Sequence, residues 1–204
     1  MEIDEFDRIM TTTRSVRRKL DFERAVDPKV IEDCIDVATQ APTGLPSEPW
    51  RFLILNDAEI KWRVAEFYRD ALQSLHEEHG REPKPAQKAL AERLHEVPVL
   101  ILVCALGRPA PDSVPRQVAF YGSVLPAAWS LMLALRARGL GATWTSLHLL
   151  HEESVADLLG IPPDVTQTVL LPVGHLKEAV MRPAPRRPAA EVSYWNRWGQ
   201  TREP

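Results

Sequence analysis

Cysteine is scarce. Cys34 and Cys104 are the only two in 204 residues, far apart and each in an apolar setting. They read as buried free thiols in a reducing compartment, not as a disulfide or a metal pair. Excess charge is lacking too: the net value is −3 at pH 7. That removes the electrostatic case for nucleic acid or an acidic membrane surface as partner. No apolar run is read as approaching the length of a membrane span. The acidic, amphipathic start MEIDEFDRIM is not a signal peptide, so the expected location is the cytoplasm. The common chemical signatures are missing as well. There is no GxGxxG after a strand, no Walker A loop, no HExxH, no CxxC and no GxSxG elbow. The six histidines (His76, His79, His95, His148, His151, His175) have no ligand spacing. His148 and His151 stand three apart at a strand-to-helix boundary, where packing or capping is the expectation. The acids fall on helix faces without pairing. No metal is expected, and the acids give no paired-carboxylate signal.

What is present is an ordinary globular composition, 45% hydrophobic and 26% charged, long enough for one domain with a substantial core. A short helix over 4–12 precedes a basic stretch. Asp27 and Pro28 open a second helix, VIEDCIDVATQ, with apolar residues at helical spacing and Pro42 beyond it. RFLILN is a strand. A helix capped by Asn56 or Asp57 runs to His79, with Gly80 as its stop. A polar, mobile-looking helix follows over 86–96, so that 57–96 reads as an excursion over the core. VPVLILVCAL is a strand buried on both faces. The helix 115–138 is apolar nearly all round, and Pro126 inside it costs about 3 kcal/mol unless packing holds it. Beyond Gly141, ATWTSLHL reads as a strand, HEESVADLLG as a helix and TQTVLLPVGHL as another buried strand. The arm 177–204 is proline-rich and basic, and its Tyr194, Trp195 and Trp198 call for a packing partner.

Three stretches carry chemistry. Thr13 to Lys19 (TRSVRRK) holds the densest positive charge. It is either a solvated basic loop or an anion clamp, with Arg14 and Arg17 facing one phosphate and Ser15 adding a neutral donor. Ala41 to Trp50 (APTGLPSEPW) is rigid and hydroxyl-bearing; it is either a ligand lip or an ordinary helix-to-strand connection. Trp144, Thr145 and Ser146 follow a glycine turn, in a place suited to a planar ligand.

Together these features form a recognisable series: RSxR after a short helix, APTG…EPW before a strand, a long helix ending GLGA, a strand ending PVG, and a basic proline-containing tail. The series resembles the nitroreductase family of FMN-dependent oxidoreductases over about residues 8–199. The resemblance implies an α+β fold, a mixed, mostly antiparallel sheet flanked by helices, in a domain-entwined homodimer with the long helix at the interface. It implies FMN as cofactor, with Arg14, Ser15 and Arg17 meeting the phosphate, ribityl chain and pyrimidine edge. Arg186, with Arg187, would return from the arm to complete the phosphate clamp. Pro42, Thr43 and Gly44 would line the ring, and Pro46 to Glu48 would approach from the partner subunit. Trp144, Thr145 and Ser146 would lie along the isoalloxazine with a backbone N–H near N5. The implied reaction is hydride transfer from NADH or NADPH to a nitroaromatic, quinone or similar small-molecule electron acceptor by a ping-pong scheme. The flavin carries the chemistry and Arg17 stabilises its reduced form.

The sequence also departs from the family pattern. Pro46 stands where Asn is frequent, Glu48 replaces the usual Gln, and Thr13 takes a position often basic. Near 68–75 the polar residues that touch the pyrimidine edge in some members have no clear counterpart. The Glu-Pro-Trp variant occurs in the dehalogenating branch of the family, whose lid uses a Glu, a Tyr and a Lys. Glu66 and Tyr68 are present here without a matching Lys. Dehalogenation, a non-catalytic flavin-binding or storage module, and a dimer with a decayed flavin site are the alternatives.

Overall fold

The sheet is organised on one long strand near the end of the chain. The computed structural model describes residues 3–80, 82–177 and 181–202. In chain order the elements are α1 (Ile3–Thr12), β1 (Leu20–Asp21), α2 (Pro28–Ala38), β2 (Trp50–Leu55), α3 (Ala58–His79), α4 (Pro85–Arg93) and β3 (Val99–Leu106). Then come α5 (Val114–Ala137), β4 (Leu140–Ala142), α6 (Glu152–Leu159), β5 (Val165–Leu176) and α7 (Ala189–Val192). Short 3-10 turns occupy Leu94–Glu96 and Leu147–His151. Two compact units result: one spans 13–177, and the other groups α1 with the arm 181–202.

In the larger unit, β5 pairs antiparallel with β3 on one edge and with β1 beyond the end of β3, at Leu20–Leu176. Its other edge takes β4 at 173–175 and then an isolated bridge from Leu170 to Thr145. β2 closes the β3 side. All ladders are antiparallel; the parallel exception is the lone bridge Gly107–Val165. The pattern follows from the residues. β3 is buried from Val99 to Ala105 and β5 from Thr166 to Gly174, as continuous apolar runs covered on both faces require.

The main core lies between one face of this sheet, α2 and α5. Ile31, Cys34 and Ala38 of α2 meet Phe120, Val124, Ala128, Leu131 and Leu135 of α5, over Val99, Ile101, Val103, Val169 and Leu171 of the sheet. Full burial of each of the larger aliphatic side chains contributes about 1.5–3 kcal/mol. This packing holds α5 as one helix through Pro126. Asp27 and Asp57 cap α2 and α3, accepting from the amides of Lys29 and Ile60. Gly80, Gly139 and Gly160 supply the positive φ that ends α3, α5 and α6.

Three expectations change. The helix read as polar and mobile is fastened by Leu90, Ala91 and Leu94, all buried. The strand read through 142–149 stops at Ala142, because Thr143 turns its hydroxyl to the Val16 carbonyl and Leu149 N–H closes a 3-10 turn onto Ser146. And α5 is, by length and composition, long and apolar enough to cross a membrane, against the expectation that no run is; half of its most apolar stretch is buried inside the protein.

Gly141 marks the tightest approach between β4 and its neighbours: a Cβ built there falls 2.5 Å from Leu176 Cδ2 and 3.0 Å from Leu20 Cδ2. Gly141→Ala is expected to destabilise the fold by about 1–3 kcal/mol, the usual cost of overpacking, read from the urea midpoint. An unchanged midpoint would show that the β1–β4–β5 junction yields freely.

Candidate functional site

The basic stretch is not a loose loop. Val16 N–H donates to the Ala142 carbonyl at 2.9 Å, Thr143 Oγ1 donates to the Val16 carbonyl, and Trp144 N–H donates to Ser15 Oγ at 2.9 Å. These three bonds stitch residues 15–16 along the 142–144 segment, which is itself bonded through Thr143 N–H to Pro172 and through Thr145 N–H to Leu170. Val16 is buried as a result, while Arg14, Ser15 and Arg17 are half-buried and Arg18 and Lys19 are exposed. Arg14 and Arg17 are thus the partly shielded cations of the stretch, and Arg18 and Lys19 the solvent-facing ones.

Tyr68 of α3 reaches the same place. It is 1% exposed, and the Thr145 hydroxyl donates to its oxygen at 3.3 Å. Burial pushes its phenol above the ordinary range, with the Thr145 bond and the positive charge of Arg17 opposing. Arg17 makes no ion pair with a carboxylate among the described residues. A half-buried guanidinium of this kind, beside a buried phenol and a hydroxyl, is a donor set suited to an anion.

A second cluster forms at the proline-rich loop. Gly44 N–H donates to Ser123 Oγ on α5 at 2.9 Å, and Ser123 Oγ donates to the Ala119 carbonyl. Thr43 Oγ1 accepts from Leu45 N–H. Pro42, Thr43, Gly44, Pro46 and Glu48 are exposed, while the base of the loop is pinned. Ser123 was not foreseen from sequence; a lone serine on the apolar face of a core helix was the available signal.

One expectation narrows. Trp144 N–H is taken by Ser15 and Thr145 N–H by Leu170, so neither amide is offered to a flavin N5. Trp144 is half-buried against the core and Ser146 is exposed. Arg186 and Arg187 belong to the other unit and are exposed there; Arg186 Nη1 donates to the Pro185 carbonyl.

Two residues along from Ser146, His148 is 1% exposed, and both ring nitrogens lack a hydrogen-bond partner among the described residues. Burial pushes it down to about 4.

An antiparallel α+β domain with a stitched, cation-bearing segment beside its central strand belongs to a recognised class. The chain belongs to the nitroreductase family, whose model matches residues 10–175. Iodotyrosine deiodinase of Thermotoga neapolitana is 32% identical over 187 residues, 88% of this chain and 90% of that protein. Iodotyrosine deiodinase of Drosophila melanogaster is 30% identical over 184 residues, 86% of this chain; the match spans 63% of the fly protein's length. A crystal structure of oxidised iodotyrosine deiodinase bound to FMN and 3-iodo-L-tyrosine superposes with a TM-score of 0.69 at 26% identity, covering 94% of this chain and 98% of that one.

His148 gives a signed pH prediction. A neutral buried imidazole at about 4, against the ordinary 6.5 of the unfolded chain, contributes stability that is complete above pH 6.5 and is lost as pH falls toward 4. The loss totals about 3 kcal/mol. Urea unfolding of the His148→Met variant across this range is expected to show a shallower acid slope than the parent; identical slopes would contradict the assignment. For the stitch, Ser15→Ala leaves the Trp144 amide without its acceptor and is expected to cost about 1–3 kcal/mol in urea unfolding.

Proposed function

We propose that the chain is an FMN-dependent oxidoreductase that passes electrons from NADH or NADPH to a nitroaromatic, quinone or similar small electrophile. The observation that carries this reading is Arg17: half-buried, without a carboxylate partner among the described residues, and stitched beside the Thr145–Tyr68 pair. Family membership and the FMN in a 26% identical neighbour support flavin as the group these donors receive. Bound there, the flavin supplies the two-electron redox chemistry. Arg14 and Arg17 offer guanidinium forks to anionic oxygens, the phosphate and the electron-rich pyrimidine edge. The Ser15–Trp144 bond keeps them oriented before binding, so little ordering remains to be done. Tyr68 and Thr145 form a closed backing to the site. The arm's Arg186 and Arg187 add charge to the clamp on this reading.

A second copy completes the site. Support comes from α5, which exposes Val114, Val118 and Tyr121 at helical spacing, and from the arm, which exposes Trp195 and Trp198. Large apolar side chains left in water at this density call for a partner. The proline loop, pinned by Ser123 yet open along Pro42 to Glu48, suits a wall offered to the other protomer's flavin.

A second reading has its own support: the relatives named iodotyrosine deiodinase favour reductive dehalogenation of a halogenated aromatic. Against it stands one local fact: Tyr68 is buried on Thr145, so its hydroxyl is not free to grip an amino-acid zwitterion. Stopped-flow absorbance under nitrogen separates the two. The proposal predicts bleaching of the flavin by NADH or NADPH and recovery on adding a nitroaromatic. Failure of both nucleotides, with iodide released from 3-iodotyrosine by dithionite-reduced protein, would favour the second reading. No turnover with any acceptor would leave a storage module. Separately, Arg186→Ala is expected to weaken FMN by about tenfold or more, the value of a charge-assisted contact; unchanged affinity would remove the arm from the clamp.

A further inference from the structure

Away from these residues, a cleft of about 370 Å³ opens where the loop after β1, the start of α2, the end of β2 and the start of β3 meet. None of its lining residues is among those of the candidate flavin site. Its walls are largely apolar, with Phe22, Val26, Ile31, Ile54 and Val99 among them. That volume and lining are those of a small-molecule pocket. Beside Glu23, Asn56 and Glu96, its one cation is Lys61, from the first turn of α3, whose residue is only 8% exposed. The ammonium donates to the carbonyls of Val97 at 2.8 Å and Pro98 at 3.4 Å, which leaves the third N–H of the group uncommitted.

Lys61 makes no ion pair among the described residues. Burial holds its ammonium below the usual lysine range, and the charge of Asp57 only partly opposes this. Of the two acids on the wall, Glu96 takes a two-pronged bond from Arg93, whose guanidinium also lies 4.5 Å over the Phe22 ring. Glu23 is exposed to solvent and makes no ion pair among the described residues. The cleft therefore holds a buried positive charge, satisfied by dipoles but not by an anion, at the edge of an apolar hollow. A cation in that position is costly unless paired.

We propose that this cleft is a second ligand site that takes a small carboxylate with an apolar body. The carboxylate accepts from the uncommitted N–H of Lys61, and the apolar part lies on Val26, Ile31, Ile54 and Val99. The competing account is that Lys61 only ties α3 to the 97–98 corner. A tie of that kind gives the cleft no preference for charge.

The test uses the full chain and two probes of the same shape, phenylacetate and phenylacetamide, followed by the side-chain NMR signals of lysine labelled at Cε. Expected are saturable binding of phenylacetate with a shift of the Lys61 signal, and affinity for phenylacetamide weaker by about tenfold or more. Lys61→Met, which keeps the apolar stem, is expected to lose phenylacetate by a similar factor. Should that variant fold poorly, Ile54→Trp fills the mouth of the cleft, leaves both Lys61 bonds intact and is expected to weaken phenylacetate likewise. Equal affinity for the two probes, undiminished binding in a folded variant, or no saturable binding up to the solubility of phenylacetate would each overturn the proposal.

Discussion

The cation-bearing part of the candidate site depends on a seam of three hydrogen bonds between residues 15–16 and 142–144. A stretch reading TRSVRRK has no reason to be ordered by itself, since like charges repel and its apolar content is one valine. The seam gives it a strand's neighbour and buries Val16, leaving Arg14 and Arg17 half-buried while Arg18 and Lys19 go to solvent. Each bond is worth about 1 kcal/mol net. Their larger effect is orientation, because guanidinium forks already held in place lose little freedom when an anion arrives. The seam rests in turn on β5, which bonds β4 and Thr145 along one edge and β3 along the other.

Much of this architecture was legible in the residues. Continuous apolar runs gave β3 and β5, Asp27 and Asp57 announced helix starts, and the glycines at 80, 139 and 160 announced ends. Each of those signals is local, and local chemistry decides it. Bonds that cross the chain were not legible. Gly44 to Ser123 spans 79 residues, Thr145 to Tyr68 spans 77, and Lys61 finds carbonyls 36 and 37 positions on. Such pairings follow from how helices and strands register in three dimensions. The misread strand over 142–149 has the same origin. ATWTSLHL has strand composition, but Thr143 is captured by Val16 and the chain turns to bring His148 inside. The family resemblance implied a backbone N–H near the flavin along 144–146, and the fold spends those of Trp144 and Thr145 on its own frame.

The family resemblance, carried by RSxR, APTG and the PVG strand, agreed with the match over residues 10–175. Its finer implications rest on features that family membership does not fix. On α3, Tyr68 is committed to the interior while Glu66 meets Arg63 only at the surface. Among the described residues, polar groups in costly positions recur: a buried imidazole without a hydrogen-bond partner, a buried ammonium without a counter-ion, a half-buried guanidinium without a carboxylate. Apolar substitutes would pack more cheaply there.

The central claim is that Arg14 and Arg17 are held ready for an anionic cofactor. Comparative equilibrium binding of FMN and riboflavin to cofactor-free protein, followed by flavin fluorescence, tests it most directly. The two ligands share the ring and ribityl chain and differ by the phosphate. The account predicts saturable FMN binding with riboflavin weaker by about 100-fold or more, as loss of charge-assisted bidentate contacts implies. Equal affinities, or no binding of either, would contradict it.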